Sequence, residues 1–575
     1  MAVFEWEEAN IKISISPPRY SDYPLPHPPL PQEIYDYTID FLWYDPAALA
    51  RCCSVCRAFV PVAAYHLDQF TTLQISSHAS VTLYARAFRA KENRRFNRVD
   101  DIMMIESPRS PFIHRFSISM LGCYLPGVKT LTLNGIDWTI TCPHVSFFEF
   151  LPLYSGITEL TLSWCKFRNA SQLRRLINAL PGLNKLWLLG IDWSTLCDVP
   201  TTTVLRPALN ANRIQGITLF YHFKQTDPRG FVGSRDAMRN ILTFCAQYSS
   251  VSQLSLDLEL LDSIACLLRF LHHFPLLSDL DLHGEPYTSS VDVSEWQDFE
   301  LGALRQTHIR LSNLSLRCIP TIAALSLMQL FPTPEACSNL DSIKVKHSDG
   351  TGPVALFLQA MQDTLRLAGA ALREFDFGWD CNRGLLFERG TEWDFAANIS
   401  LTKLLVTLRP PPRPYAIGSI LVSMISSITS PCLEVVSIYL AVTDPSTSEA
   451  HQPFSGGDVL QCRGSKAVDD FHTILNASHF HGLPPRSVKI SIDARQSTLT
   501  APIEVIRPVK YRLDKLFSPW LARNVLKIYY DPEPENEEEE DEEEDKDEDS
   551  MSYTNVSTED TTHAHTDQVG PENNP

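Results

Sequence analysis

The residues in this chain that could do chemistry are cysteines, histidines and carboxylates, and their spacing fits none of the sites they usually build. Cys53 and Cys56 form a C-x-x-C pair, a spacing found in zinc and redox sites. A tetrahedral zinc site needs four ligands, and neither a second C-x-x-C nor a suitable histidine pair follows. His272 and His273 are adjacent, so on a helix they cannot face one metal ion together. We therefore expect no metal and no cofactor.

Enzyme signatures are missing from the sequence as well. It has no G-x-S-x-G, H-E-x-x-H, P-loop or dinucleotide fingerprint in the context that each requires. Paired carboxylates are plentiful between residues 531 and 575, but a dense run of like charges cannot hold them in catalytic geometry. We predict a protein that binds other molecules and is not an enzyme.

The charge of the chain is concentrated at its C-terminal end. Residues 531 to 575 hold 19 acidic residues and one lysine, so they supply −18 of the net charge of −19. We predict that this acidic tail is disordered, because its charges repel and it has nothing to bury. The rest of the chain is nearly neutral, so no direct binding of nucleic acid is expected.

A basic cluster lies between residues 86 and 98. It is either a solvated helix face, which the acidic tail could neutralise, or a nuclear import signal or contact for an acidic partner. Its members are Arg86, Arg89, Lys91, Arg94, Arg95 and Arg98.

The sequence also indicates a compartment. "MAVFEWEEAN" has neither the basic start nor the apolar run of a secretory signal. The 14 cysteines show no repeated spacing, so we expect reduced thiols. No apolar run approaches the ~20 residues that cross a bilayer. We predict a soluble protein of the cytoplasm, the nucleus or both, with no membrane partner.

Short alternating strands recur from about residue 128 onward. Eleven such segments follow one another, from "KTLTLNGIDW" to "LEVVSIYL", and "RSVKISID" (486–493) comes after a longer insertion. Amphipathic stretches such as 171–183 and 261–277 separate them, and "LFSPWLARNVLKIYY" closes the series. This pattern predicts an α/β fold: an irregular leucine-rich-repeat solenoid with parallel strands on the concave side and helices on the convex side. The alternative is an ordinary doubly wound α/β domain.

The outward residues of the predicted strands would form the concave face. Their mixed chemistry identifies no ligand, and a register error of one residue would exchange the two faces of the sheet. The predicted positions, or their neighbours one residue away, are Thr132, Thr161, Trp187, Asp257, Asp281 and Ser315.

"LPQEIYDYTIDFLWYDPAALARCCSVCRAF" (30–59) predicts three short helices after a proline-rich stretch. Leu30, Ile34, Tyr37 and Phe41 recur at helical spacing, with Leu42 beside them. Asp45 before Pro46 is a good N-cap with proline at the first helical position. Ser54 is the candidate cap of a third helix from Val55, which Pro61 should end or kink.

This stretch resembles the F-box, in the form common among large fungal protein families. The pattern is LP-x-E-I, then Ile and Leu, and after a short loop V-C-R-x-aromatic, with Thr38 where an aliphatic residue is usual. The matching positions, which the resemblance implies dock a Skp-type adaptor, are Leu30, Pro31, Glu33, Ile34, Ile39, Leu42, Leu49, Val55, Cys56, Arg57 and Phe59. We therefore divide the chain into a proline-rich leader (1–24), a small all-α F-box-like module (25–75), the solenoid (76–530) and the acidic tail (531–575).

The resemblance implies a substrate-recognition adaptor of a cullin–RING (SCF-type) ubiquitin ligase, whose repeats bind an unknown protein substrate. A rival hypothesis keeps the repeats but assigns binding of histones or other basic proteins to the acidic tail, as in the acidic leucine-rich nuclear phosphoproteins. In a third, the F-box uses its adaptor outside any ligase. The plainest alternative is that residues 30–59 only cap the solenoid.

Overall fold

Fifteen strands that follow one another along the chain form one parallel sheet. The computed structural model describes residues 31–531 except 44, 56–57, 68–71, 90–98, 108, 194–213, 221–234, 262, 285–309, 331–333, 348–353, 381–392, 410–420, 442–463 and 494–501. The strands are β1 (Thr72–Ile75), β2 (Asp101–Ile105), β3 (Thr130–Asn134), β4 (Glu159–Ser163), β5 (Lys166–Phe167), β6 (Lys185–Leu189), β7 (Asp192–Trp193), β8 (Gly216–Phe220), β9 (Gln253–Asp257), β10 (Asp279–His283), β11 (Asn313–Arg317), β12 (Ser342–His347), β13 (Glu374–Asp380), β14 (Lys403–Arg409), β15 (Val435–Ala441), β16 (Val488–Asp493) and β17 (Leu526–Asp531). Short β5 and β7 pair separately, and all the others belong to the large sheet.

The order of the strands confirms a solenoid. Each strand of the large sheet pairs in parallel with the next one in the sequence, without a reversal. A doubly wound sheet reverses its strand order at a switch point, so that alternative is wrong. All twelve strand segments predicted from the sequence are present, and the closing segment supplies β17.

Alternate leucines hold the strands against the core. Leu131 of β3, Leu160 of β4 and Leu186 of β6 are register partners in one row, and all three are buried. Because side chains of a strand alternate between faces, the residues between these leucines point to the opposite, open face of the sheet. We call this surface the open face.

Helices connect successive strands and cover the buried side of the sheet, and three further helices precede the first strand. They are α1 (Gln32–Asp40), α2 (Pro46–Val55), α3 (Val60–Leu67), α4 (His78–Arg89), α5 (Phe116–Ser119), α6 (Val145–Phe150), α7 (Ala170–Asn178), α8 (Arg235–Cys245), α9 (Ile264–Leu271), α10 (Thr321–Leu330), α11 (Pro334–Cys337), α12 (Val354–Ala368), α13 (Gly464–Leu475), α14 (Pro502–Leu516) and α15 (Ser518–Ala522). The amphipathic stretches predicted as helices are confirmed as α7 and α9. Their N-caps are Asn169 and Ser263, whose side-chain oxygens accept the backbone N–H bonds of Gln172 at 3.1 Å and Cys266 at 3.3 Å.

The three helices at the N-terminal end differ in one respect from the prediction. The cap of α2 is as expected, since the Ala48 N–H donates to Asp45 Oδ1 at 2.9 Å. The third helix, however, begins at Val60 and not at Val55, which is the last residue of α2. Pro61 therefore lies in the first turn of α3, where its missing N–H costs no hydrogen bond, and it does not end the helix.

The sheet extends further toward the N-terminus than the repeats seen in the sequence. β1 begins at Thr72, within the range assigned to the helical module, and β2 also precedes the first predicted strand. The leader and almost all of the acidic tail lie outside the described residues. No described helix has the length and apolarity that a bilayer crossing requires.

Candidate functional site

Large apolar side chains are exposed on the three N-terminal helices. The exposed fractions are 49% for Ile34, 65% for Tyr37, 61% for Phe41, 63% for Trp43, 69% for Val55 and 63% for Tyr65. We call these six residues the N-terminal apolar set. Contiguous exposed apolar surface commonly marks a binding site, and within this set the rings of Tyr37 and Phe41 are in direct contact.

Helix α1 divides its side chains between solvent and protein. Ile34, Tyr37 and Phe41 follow the i, i+3, i+7 spacing of one helix face, and the rings of the last two pack edge to face with centroids 5.0 Å apart. The other face bears Ile39, which is 1% exposed, and Tyr35, whose ring lies 5.5 Å from that of Phe59. The exposed stripe is thus presented by a helix that is anchored from behind.

Polar contacts fix α1 against α3. His66 Nε2 lies 2.6 Å from Asp40 Oδ1, and Gln32 Nε2 donates to the Ala58 carbonyl at 2.8 Å. The Thr38 hydroxyl donates to the Ile34 carbonyl at 2.7 Å, so this departure from the F-box pattern is accommodated within the helix itself. These contacts hold α1, and with it the exposed Ile34, Tyr37 and Phe41, in one orientation relative to α3.

The structure separates the predicted adaptor-docking residues into three groups. Pro31, Glu33, Ile34 and Val55 are exposed and available to a partner. Ile39 and Leu49 are buried, and Leu42 and Phe59 are partly buried against the core, so these four build the unit. Leu30, Cys56 and Arg57 lie outside the described residues.

Sequence reasoning left four members of the N-terminal apolar set off the predicted docking surface. Tyr37 and Phe41 were recognised only as helix periodicity, and Trp43 and Tyr65 were not singled out. The sequence could have indicated that Tyr37 and Phe41 are exposed. Apolar residues occur on more than one face of α1, and a helix packed on a protein core buries only one face.

The open face brings most of the predicted concave positions together. Thr132, Thr161 and Trp187 are consecutive register partners, and Asp281 and Ser315 continue the same row. The β9 member of that row is Ser255, two residues before Asp257. Asp257 is instead buried, where its carboxylate accepts the Glu259 N–H at 3.0 Å and caps a short 3-10 turn.

A groove of about 450 Å³ crosses the open face between β6 and β12. Its polar lining includes Lys185, Gln253, Asp279, Asn313 and Ser342. These hydroxyl, amide and charged groups can form hydrogen bonds with a ligand.

No group of three metal-ligating side chains occurs in the described part of the chain. Burial, together with neighbouring Cys52, raises the pKa of Cys53, which disfavours the thiolate that metal or redox chemistry needs.

Ion pairs beside this groove place their cations outermost. Arg317 Nε lies 3.3 Å from Asp281 Oδ1, and Lys344 Nζ lies 3.3 Å from Glu374 Oε2. In both pairs the basic side chain is more exposed than the acidic one. The open face therefore presents the N–H groups of Arg317 and Lys344 to a ligand, while the carboxylates that pair with them are less exposed.

Asp281 is a partly buried carboxylate of the open face with several polar neighbours. Burial favours its neutral form, but His283, the nearby Ser315 hydroxyl and the positive charge of Arg317 outweigh this and lower the pKa of Asp281. The Ser255 hydroxyl also donates to Asp281 Oδ2, at 3.3 Å. His283 Nε2 lies 2.8 Å from Asp281 Oδ2. The charged carboxylate thus stabilises the folded state.

Asp281→Asn should reduce the free energy of unfolding by about 1–2 kcal/mol at neutral pH. Because the folded pKa is depressed, this contribution is fully present above the unfolded value of about 3.9 and is lost as the pH falls through the folded value. Urea unfolding of both proteins between neutral and acidic pH measures it. The control Asp470→Asn, at an exposed position of α13, should change nothing. A difference for Asp281→Asn that stays constant with pH would contradict the assigned role.

Comparison with known proteins adds little to this geometry. No protein-family model matches the chain, and no curated protein sequence matches it. Among solved structures, it is similar to one titled "Crystal structure of TLR13-ssRNA13 complex", with 12% identity and a TM-score of 0.20. The match covers 76% of this chain and 65% of that one, just under two thirds of its length. A TM-score this low bears on neither fold nor function.

Proposed function

We propose that this chain is the substrate-recognition adaptor of a cullin–RING (SCF-type) ubiquitin ligase, in which the N-terminal helices are an F-box that docks a Skp-type adaptor. The solenoid is then an irregular leucine-rich repeat whose open, concave face binds the substrate. Such a protein makes and breaks no bond. It raises the effective concentration of a substrate near the ubiquitin-charged enzyme by binding two partners at once.

The observation that carries this proposal is the N-terminal apolar set. A unit that served only as a cap of the solenoid would present polar side chains to solvent. This one turns Tyr37, Phe41 and Trp43 outward, each more than half exposed. Aromatic residues of this kind dominate the binding energy of protein interfaces, where burial against a partner removes them from water.

The position of the second surface also supports an adaptor. The groove of the open face is lined by residues from β6 to β12, whereas the N-terminal apolar set precedes β1 in the sequence and lies on helices. Two different surfaces can therefore be occupied at the same time, as a bridging protein requires.

A second function is favoured by the acidic tail. Residues 531–575 carry 19 acidic side chains against one lysine, a composition suited to histones or other basic proteins. In this rival the tail binds the main partner, and the N-terminal helices need no adaptor.

A pull-down with the full-length chain separates the two functions. We expect purified Skp-type adaptor to bind it and to bind equally well after deletion of residues 532–575, because the docking helices lie at the other end of the chain. Binding of core histones that is lost with the tail, without any binding of the adaptor, would favour the rival. If the chain is folded and binds neither, both functions fail.

A further inference from the structure

The last repeat of the body carries an excess of positive charge. Residues 486–530 contain nine arginines and lysines against three acidic residues, in a body that is otherwise slightly acidic. The acidic tail follows immediately. Within it, residues 537–549, "EEEEDEEEDKDED", hold twelve carboxylates. We call residues 537–549 the acidic segment. The chain thus places charges of opposite sign next to each other.

Two lysines of this repeat lie opposite one another on the open face. Lys489 of β16 and Lys527 of β17 are register partners, and both are exposed. Neighbouring strands are only about 4.8 Å apart, and like charges directly opposite one another are destabilising. Neither ammonium group forms an ion pair with any carboxylate of the described residues, although Lys527 Nζ does lie over the Tyr529 ring at 4.5 Å.

The nearby carboxylate of β16, that of Asp493, forms no ion pair with either lysine. Asp493 is buried and accepts a hydrogen bond from the hydroxyl of Tyr439. Lys403, exposed on β14 two strands from Lys489, adds a third cation to the same face. Its register partner on β13 is Glu374, whose carboxylate already pairs with Lys344. This end of the open face therefore provides three cations for an anionic ligand.

The tail is long enough to reach these lysines. The path back from Asp531 to Lys527 covers four strand residues, about 13 Å. Residues 532–536 can span up to about 17 Å when extended, and the acidic segment a further ~43 Å. A short tether of this kind gives an effective concentration in the millimolar range.

We propose that the acidic segment binds the Lys489–Lys527 pair on the open face, with Lys403 as a further contact. The occupant is this chain's own tail, because it starts at the edge of the site, has the complementary charge and needs no association with a second molecule. Its docking relieves the repulsion between the two lysines and keeps other acidic polypeptides off this end of the open face. The inference does not depend on the ligase function.

Zero-length carbodiimide cross-linking of the full-length monomer at low protein concentration tests the contact. We expect amide bonds from Lys489 or Lys527 to carboxylates of the acidic segment, about tenfold more abundant than bonds to the exposed lysines Lys129 and Lys185. High salt should abolish the preference, since exposed charges are screened.

Three outcomes would overturn the proposal. Bonds spread evenly over all exposed lysines would mean that the tail has no site. Labelling of Lys515, exposed at the end of α14, as strongly as Lys489 would indicate mere proximity. Predominant labelling of Lys91 would place the tail on the basic cluster at residues 86–98.

A pair of full-length variants gives a second readout. A glutamate-specific protease should cut the acidic segment several-fold faster in Lys489→Gln/Lys527→Gln than in the wild type. The matched variant Lys129→Gln/Lys185→Gln should behave as the wild type does. All four lysines are exposed, so neither variant disturbs the core. Equal cleavage rates in all three proteins would also refute the contact.

Discussion

Tyr37→Asp/Phe41→Asp should abolish binding of the full-length chain to a Skp-type adaptor, with a loss of at least about 100-fold in affinity. Each side chain is more than 60% exposed, and the two rings pack edge to face on one side of α1. Aromatic hot spots contribute about 2 kcal/mol or more each, and aspartate would add a charge that must be desolvated in the interface. Calorimetric or surface-based titration with the purified adaptor measures the loss.

The exposure of these residues also makes the experiment specific. Because neither side chain belongs to the core, the thermal unfolding midpoint should stay within the range of ordinary surface substitutions. The matched control is Leu276→Asp/Leu356→Asp, which places the same charges at apolar positions 63% and 57% exposed elsewhere on the solenoid. If the control weakened adaptor binding as much as the test variant did, the α1 stripe would not be the docking surface.

Trp520→Ala should cause the largest loss of stability, about 3–5 kcal/mol. The indole is fully buried in α15, its ring centroid lies 5.1 Å from that of Phe480 and 5.9 Å from that of Phe517, and its Nε1–H donates to the Leu475 carbonyl at 2.9 Å. These contacts join α13 and α15 beside the last strands. Because repeats contact mainly their neighbours, amide hydrogen exchange should accelerate most in β16 and β17.

Two phenylalanine substitutions separate the hydrogen bond of a buried indole from its packing. Trp520→Phe leaves the Leu475 carbonyl without its donor, which adds about 1–3 kcal/mol to the cost of the smaller ring. Trp138 is equally buried among aromatic rings, but its Nε1–H has no acceptor among the described residues. Trp138→Phe should therefore be the milder change in urea unfolding. The opposite order would show that the bond to Leu475 contributes little.

Much of the fold could be predicted from the sequence because it depends on local periodicity. Alternating leucines such as Leu131 and Leu133 indicated the strands, and amphipathic spacing indicated α7 and α9. Asp45 followed by Pro46 marked the start of α2 correctly, since capping involves only neighbouring residues. β1 and β2 were not predicted because their buried positions carry isoleucine and methionine besides one leucine, which places them outside the leucine pattern.

The candidate site was only partly predictable. Membership of an F-box-like pattern could not say which apolar residues face a partner, because that depends on how α1 packs on its neighbours. The structure assigns Ile39 and Leu49 to the core and leaves Ile34 and Val55 exposed. The prediction that Pro61 ends a helix was wrong for a related reason. Proline fits either after a helix or in its first turn. Because α2 ends at Val55 and α3 begins at Val60, Pro61 lies in the first turn of α3.

The sequence by itself determined that this chain is a repeat protein with helices at one end and a concentrated negative charge at the other, because periodicity and composition are local properties. Only the tertiary structure decided which distant residues meet. Lys489 and Lys527 are separated by 38 positions in the chain, yet the parallel register places them side by side. The same register explains why the β9 residue beside Asp281 is Ser255 and not the expected Asp257: the pairing of neighbouring strands decides which residues share a row of the open face.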